Sequence, residues 1–464
     1  MELSRREMVK LGVVGSAALM LPLERLARTQ LQLTNRLPES QLPEPFQVPF
    51  ERPPVLRPVR RTDRKDFYNV SMRAANVEII PGLRTRIWGY NGTFPGPTIK
   101  MRKGRRAIVE FRNRLPRRHP HLGYVPTTSV HLHGNASRPQ HDGYASQVTE
   151  PGEYKIYRYP NEQPARTLWY HDHGVHHTAP NVYQGLAGFY ITHDRHELSL
   201  PIPHGRYDVP LMITDAMFEK DGSLIYDDEG DSSLFGDVIL VNGRPWPRMK
   251  VERRKYRFRV LNASISRSYD LALDSDEPLT VIGTDGGLMP HPVRVEHMRL
   301  GMAERYEIVI DFSKYKVGQK VVLRNRGTDN TVEFSNTDVI MRFDVVDDAS
   351  DKRNNRIPEA LDPRNDVMRL RPSDAVKTRK FEFHRQGGQW KINKTSWSDV
   401  INSGYRLVDA DPELNSVEIW KLHNSSGGWF HPVHIHLIDF KILDRDGRPP
   451  RPYERGPKDV VYVG

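Results

Sequence analysis

With 464 residues, 37% of them hydrophobic, the chain is too long for one ordinary domain and carries enough apolar material for two or three packed cores. Its formal net charge is +11, but Lys and Arg are scattered among acidic residues and form no stripe interleaved with aromatics, which favours a solvated basic surface over nucleic-acid binding. The absence of cysteine excludes disulfides, thiolate catalysis and any metal site that draws sulfur from Cys within these residues.

Residues 1–28 predict a twin-arginine export signal. Ser4-Arg5-Arg6 and Lys10 precede the apolar stretch Leu11 to Pro22, a short basic region followed by a modest apolar one. The twin-arginine machinery carries folded proteins to the periplasm, cell surface or exterior, a route that suits any protein that must hold a metal or cofactor. No internal apolar run is long enough to cross a bilayer. Residues 45–200 then read as short strands broken by Gly/Pro turns, as in Ala107 to Phe111 and in NGTFPGPTIKMRKG (Asn91 to Gly104). A second unit, 205–346, contains YRFRVLNAS (Tyr256 to Ser264) and YEIVIDFS (Tyr306 to Ser313), patterned as sandwich strands are. Residues 347–378, rich in Asp, Arg, Asn and Pro, read as a linker. A third unit, 379–464, is still strand-like at Gly464. The predicted fold is all-β: three Greek-key β-sandwiches, the last incomplete.

Chance gives about one His-x-His pair in such a chain, whereas this one has four: His119/His121, His131/His133, His171/His173 and His434/His436. On a strand, residues i and i+2 share a face, so each pair offers two imidazoles to one place. Neutral imidazole suits copper, zinc, iron and nickel. SVHLHG, TLWYHDHG and WFHPVHIHL set three of the pairs in strand contexts, and the last adds His431. His119-Pro120-His121 lies in a Pro-rich loop and reads as structural or exposed, while His141, His176 and His177 read as supporting or surface residues.

HLHG, WYHDHG and HPVHIHL, in this order and widely spaced, resemble three of the four copper motifs of the multicopper oxidases. NVYQGLAGFYITHD, VNGRPWPRMKVERRKYRFRVLNAS and AERYEIVIDFS extend the likeness to the laccase, bilirubin oxidase and phenoxazinone synthase branch. The resemblance implies cupredoxin-like domains and four copper ions. It also implies oxidation of a small-molecule reductant (a phenol, an aromatic amine or a tetrapyrrole) coupled to reduction of O2 to water, with no nucleic acid and no membrane span involved. By resemblance His131 and His434 bind a type 2 copper, His133, His171, His173 and His436 bind a type 3 pair, and His431 is a ligand of the type 1 copper that receives electrons. Asp142 in HDGYAS aligns with an acidic residue that orients water or assists proton delivery, its alternative being a plain Asp-Gly turn. The family's fourth motif, HCH with a further His and a Met, does not occur. ERGPKDVVYVG (Glu454 to Gly464) resembles the text upstream of it, so the sequence is expected to stop short of that motif. The competing readings are an oxidase of Cu(I) or another metal ion, disfavoured by the lack of a Met-rich segment, and a non-catalytic coat or division protein should Gly464 be the true terminus.

Overall fold

Period-two burial shapes the first domain. Along β1 (Lys65–Val77), Tyr68, Val70 and Met72 are buried while Lys65 and Asn69 face solvent. The computed structural model describes residues 35–226, 233–275, 277–329 and 331–464, so the expected export signal lies outside the described residues. The further strands of this domain are β2 (Thr85–Tyr90), β3 (Gly96–Arg102), β4 (Arg106–Arg114), β5 (Val130–His133), β6 (Tyr154–Tyr159), β7 (Arg166–Asp172) and β8 (Ala187–His193). In one sheet β1 pairs antiparallel with β2 and parallel with β4, which pairs antiparallel with β6. The other runs β3-β8-β7-β5. Tyr68, Val109, Phe111, Leu132, Leu168 and Tyr170 belong to the shared core. β7 differs from β1 in being buried at every position, because its outer face is covered as well.

The second domain has a seven-stranded sheet containing β9 (Asp208–Ala216), β10 (Val238–Val241), β11 (Lys255–Asn262), β12 (Leu279–Thr284), β13 (Gly287–Val295) and β14 (Arg305–Asp311). Its order is β10-β9-β11-β14-β12-β13, with Arg244–Pro245 at the β10 edge. A five-stranded sheet closes the same core, in which Phe258 and Ile308 meet Val321, Met341 and Phe343. Residues 35–50 lie along this domain before the chain enters the first: the amides of Leu37, Phe46 and Phe50 donate to the carbonyls of Phe218, Trp246 and Arg248.

The third domain is built of β15 (Lys377–Gln386), β16 (Gln389–Ile392), β17 (Glu418–Asn424), β18 (His431–His434) and β19 (Val460–Val463). β15 lies between β16 and β17, and β18 pairs with β19 in a two-stranded ribbon. Short helical turns at Asp366–Arg369 and Pro372–Asp374 occupy the approach to it. The molecule is thus mostly β, with several mixed sheets in three domains. Among the described residues no helix is long and apolar enough to cross a membrane.

Candidate metal centre

β5 and β7 run antiparallel in a register that sets His131 opposite His171 and His133 opposite Trp169. The two-residue repeat puts His131 and His133 on one face, and His173 follows just beyond the end of β7. From the third domain, His434 ends β18 and His436 lies two residues further. The two domains interleave their rings. His131 stacks on His436 at 4.1 Å and His133 on His434 at 3.6 Å, while His131 lies 5.5 and 5.4 Å from His171 and His173. His173 and His436 are 5.3 Å apart. Three sets of side chains bring donor atoms within 4.8 Å of one another: His131, His133 and His171; His131, His434 and His436; His133, His434 and Asp459.

The hydrogen bonds leave donor nitrogens bare. The Nδ1 atoms of His131, His171 and His434 donate to the carbonyls of Asp142, Asp172 and Asp459 at 2.5, 2.7 and 2.8 Å. His131 Nε2, His434 Nε2 and His173 Nδ1 are buried with no protein partner. A buried nitrogen with nothing to bond is costly unless something else occupies its lone pair. Burial pushes His173 and His434 down to about 3, assisted by neighbouring rings, and pushes His133 and His171 well below the ordinary value. These four imidazoles are therefore neutral at ordinary pH, the form that binds metal. An all-imidazole donor set of this kind fits copper.

Asp142 bridges the two domains. It follows the turn Pro139–His141, and Gly143 after it adopts φ +78° where a Cβ would strike the Val130 carbonyl, so the loop closes tightly onto β5. His436 Nδ1 donates to Asp142 Oδ2 at 2.8 Å, and His131 Nδ1 lies 3.5 Å from Oδ1, which has no hydrogen-bond partner. Burial opposes ionisation, but the two histidines outweigh it and hold the carboxyl below the usual range. Asp142 is thus both the Asp-Gly turn and a residue of the site.

Four residues that sequence reading missed complete the surroundings. Asp459 Oδ1 lies 3.2 Å from His133 Nε2 and receives Arg305 Nη1 at 2.6 Å. With both its oxygens engaged by Arg305, Asp459 is an ion-pair partner of the site and not a free ligand. Trp169 stacks on His171 at 4.0 Å. Asp172 accepts from the Ser129 and Gly174 amides and from Asn181, anchoring the loop that carries His173. Burial raises Asp172 to about 6. A charged residue opening the apolar run VVYV was the available sign for Asp459, since such residues are buried only when paired.

His431 is not part of this cluster. It is half-buried, stacked against Phe383 at 5.6 Å, edge-on to Trp390 at 5.2 Å, and its Nε2 is 2.9 Å from Ser426 Oγ. His119 is structural: its Nδ1 accepts from the amides of His121 and Leu122 and its ring packs on Trp88. His177 stacks on Tyr124 at 4.2 Å.

Sequence models of the multicopper oxidase family match residues 71–197, 208–340 and 370–464. The chain is 41% identical to bilirubin oxidase of Albifimbria verrucaria over 90% of its own length and 74% of that protein. It is 35% identical to a laccase of Bacillus subtilis (strain 168), with 89% of each covered. A crystal structure of laccase from Pediococcus acidilactici superposes with a TM-score of 0.78 at 28% identity, over 91% of this chain and 86% of that one.

Proposed function

The chain belongs to the multicopper oxidase family, and from that premise we propose that His131, His133, His171, His173, His434 and His436 hold the coppers at which O2 is reduced. It is a copper-binding oxidase of laccase and bilirubin oxidase type, and the reductants proposed for it are phenols, aromatic amines or tetrapyrroles such as bilirubin. The observation that carries this reading is the interleaving of imidazoles from two domains, with buried nitrogens left unpaired between them. His131 and His434 are assigned to the type 2 copper, the other four to the type 3 pair.

Copper in such a site supplies one-electron redox steps and open positions for oxygen. The protein's own part is orientation and proton handling. Three backbone carbonyls fix the tautomers of His131, His171 and His434, which turns Nε2 of His131 and His434 into the seam. Asp142, with one carboxylate oxygen unpaired beside His131, is the group placed to accept or pass protons there. His431 is the type 1 ligand that these residues contribute; the thiolate needed by a blue copper centre is not among them. Export on the Arg5-Arg6 pair is proposed as well, and cell fractionation of an Arg5→Lys/Arg6→Lys variant that still leaves the cytoplasm would refute it.

The test of the oxidase is O2 uptake by the copper-loaded full-length gene product, provided that it supplies a type 1 thiolate, with a phenol, an aromatic amine and bilirubin supplied separately. Uptake with at least one of them, at four electrons per O2 and lost in His131→Ala, is expected. No uptake with any of the three, or stoichiometric release of peroxide, overturns the assignment.

A further inference from the structure

None of the six histidines at the seam comes from the second domain, yet that domain reaches them. Arg305, at the start of β14, donates through Nη1 and Nη2 to Asp459 Oδ1 and Oδ2 at 2.6 and 2.5 Å, and through Nε to the Thr167 carbonyl of β7 at 3.0 Å. Asp459 in turn meets His133 Nε2 with its carboxylate and receives His434 Nδ1 on its backbone carbonyl. Asp285 secures the arrangement from behind by accepting from the Arg305 amide at 2.6 Å. Arg305, Asp285 and Asp459 are all fully buried.

We propose that Arg305 and Asp459 act as a positioning clamp through which the second domain sets the placement of His133 and His434; this rests on the reading of the seam as a copper site. One guanidinium holds the strand that carries His171 and the residue that touches both His133 and His434, so the two halves of the cluster share one anchor. Gly134, next to His133, supports the clamp independently. Its φ is +85°, and a Cβ there would collide with the side chains of both Asp459 and Arg305, so HLHG ends in glycine where the clamp needs room. A buried ion pair is weak grounds for stability, because desolvation offsets its attraction, whereas fixing one geometry is a role it can fill. Partners that orient metal-binding histidines typically change metal affinity by about 10- to 100-fold when removed.

The test compares the paired substitution Arg305→Met/Asp459→Leu, which removes both charges together and so avoids stranding either, with the conservative Arg305→Lys. The control is Arg267→Met/Asp215→Leu, a buried pair at 3.0 Å within the second domain. In equilibrium dialysis against Cu(II), the clamp variant is expected to lose about 10- to 100-fold in copper affinity. Its copper electron paramagnetic resonance and absorption spectra should change, Arg305→Lys should restore part of the loss, and the control should match the parent. A second arm uses metal-free protein: the thermal shifts of Asp459→Asn and His133→Gln are expected to be non-additive, since the two side chains touch. A clamp variant with parent-like affinity and spectra, or additive shifts in the metal-free arm, overturns the proposal. A parent chain that binds no copper defeats the copper reading instead, and the metal-free arm then decides the clamp alone.

Discussion

The two halves of the histidine cluster are held in different ways. In the first domain, His131 and His133 lie on a strand buried at every position, and Leu132 between them is fully enclosed in that domain's core. In the third, His434 and His436 flank a half-buried Ile435 at the end of a two-stranded ribbon. The first half is preorganised mainly by its own packing, with only His133 touching the clamp. The second takes its position from contacts outside its domain: Asp142 of the first holds His436, and Arg305 of the second holds Asp459 beneath His434. A site split between a rigid half and a docked half gains precision only when domain docking is tight.

Matched substitutions sharpen this contrast most. Leu132→Ala should cost about 2–5 kcal/mol, the range for emptying a leucine position in a closed core, measured as the loss in denaturant midpoint times slope. Ile435→Ala removes a similar side chain from a half-buried place and should cost about half as much; equal costs would erase the distinction. Asp142→Ala should lower O2 uptake by about 10- to 100-fold with little change in melting temperature, because its main partners are the rings it aligns.

The interface between the first and second domains provides a pH test. Asp208 is buried, which favours its neutral form, but Arg259 and Arg257 overcome this and hold it down to about 2. The ordinary aspartate value is about 4. Its contribution is therefore complete above about pH 4 and is lost as the pH falls towards 2, a change of up to about 2 kcal/mol. Unfolding midpoints measured down an acid series should show this slope, and Asp208→Asn should flatten it. The smallest effect is expected at the second domain's Arg324–Asp338 pair, whose side chains are 44% and 63% exposed. Screening at that solvent-accessible pair predicts no measurable shift of midpoint for Asp338→Asn.

Much of the site was legible because its code is local. HLHG, WYHDHG and HPVHIHL place imidazoles by the two-residue repeat of a strand, which a chain shows without folding. The β-rich character was legible for the same reason, through alternation in segments such as Ala107 to Phe111. Asp142 was half legible: its Gly announced a turn, while its bond to His436 spans 294 residues.

What the sequence by itself determined is the order of the strand-borne histidine pairs, the all-β patterning and the absence of a thiolate among these 464 residues. Which rings would stack, and what would hold them, only the tertiary structure decided. His133 and Asp459 are 326 residues apart and Arg305 and Asp459 are 154, and no periodicity relates them. They meet because three domains bury a common seam. There a charged residue is stable only beside its counter-charge, and an imidazole nitrogen only beside an acceptor or a metal.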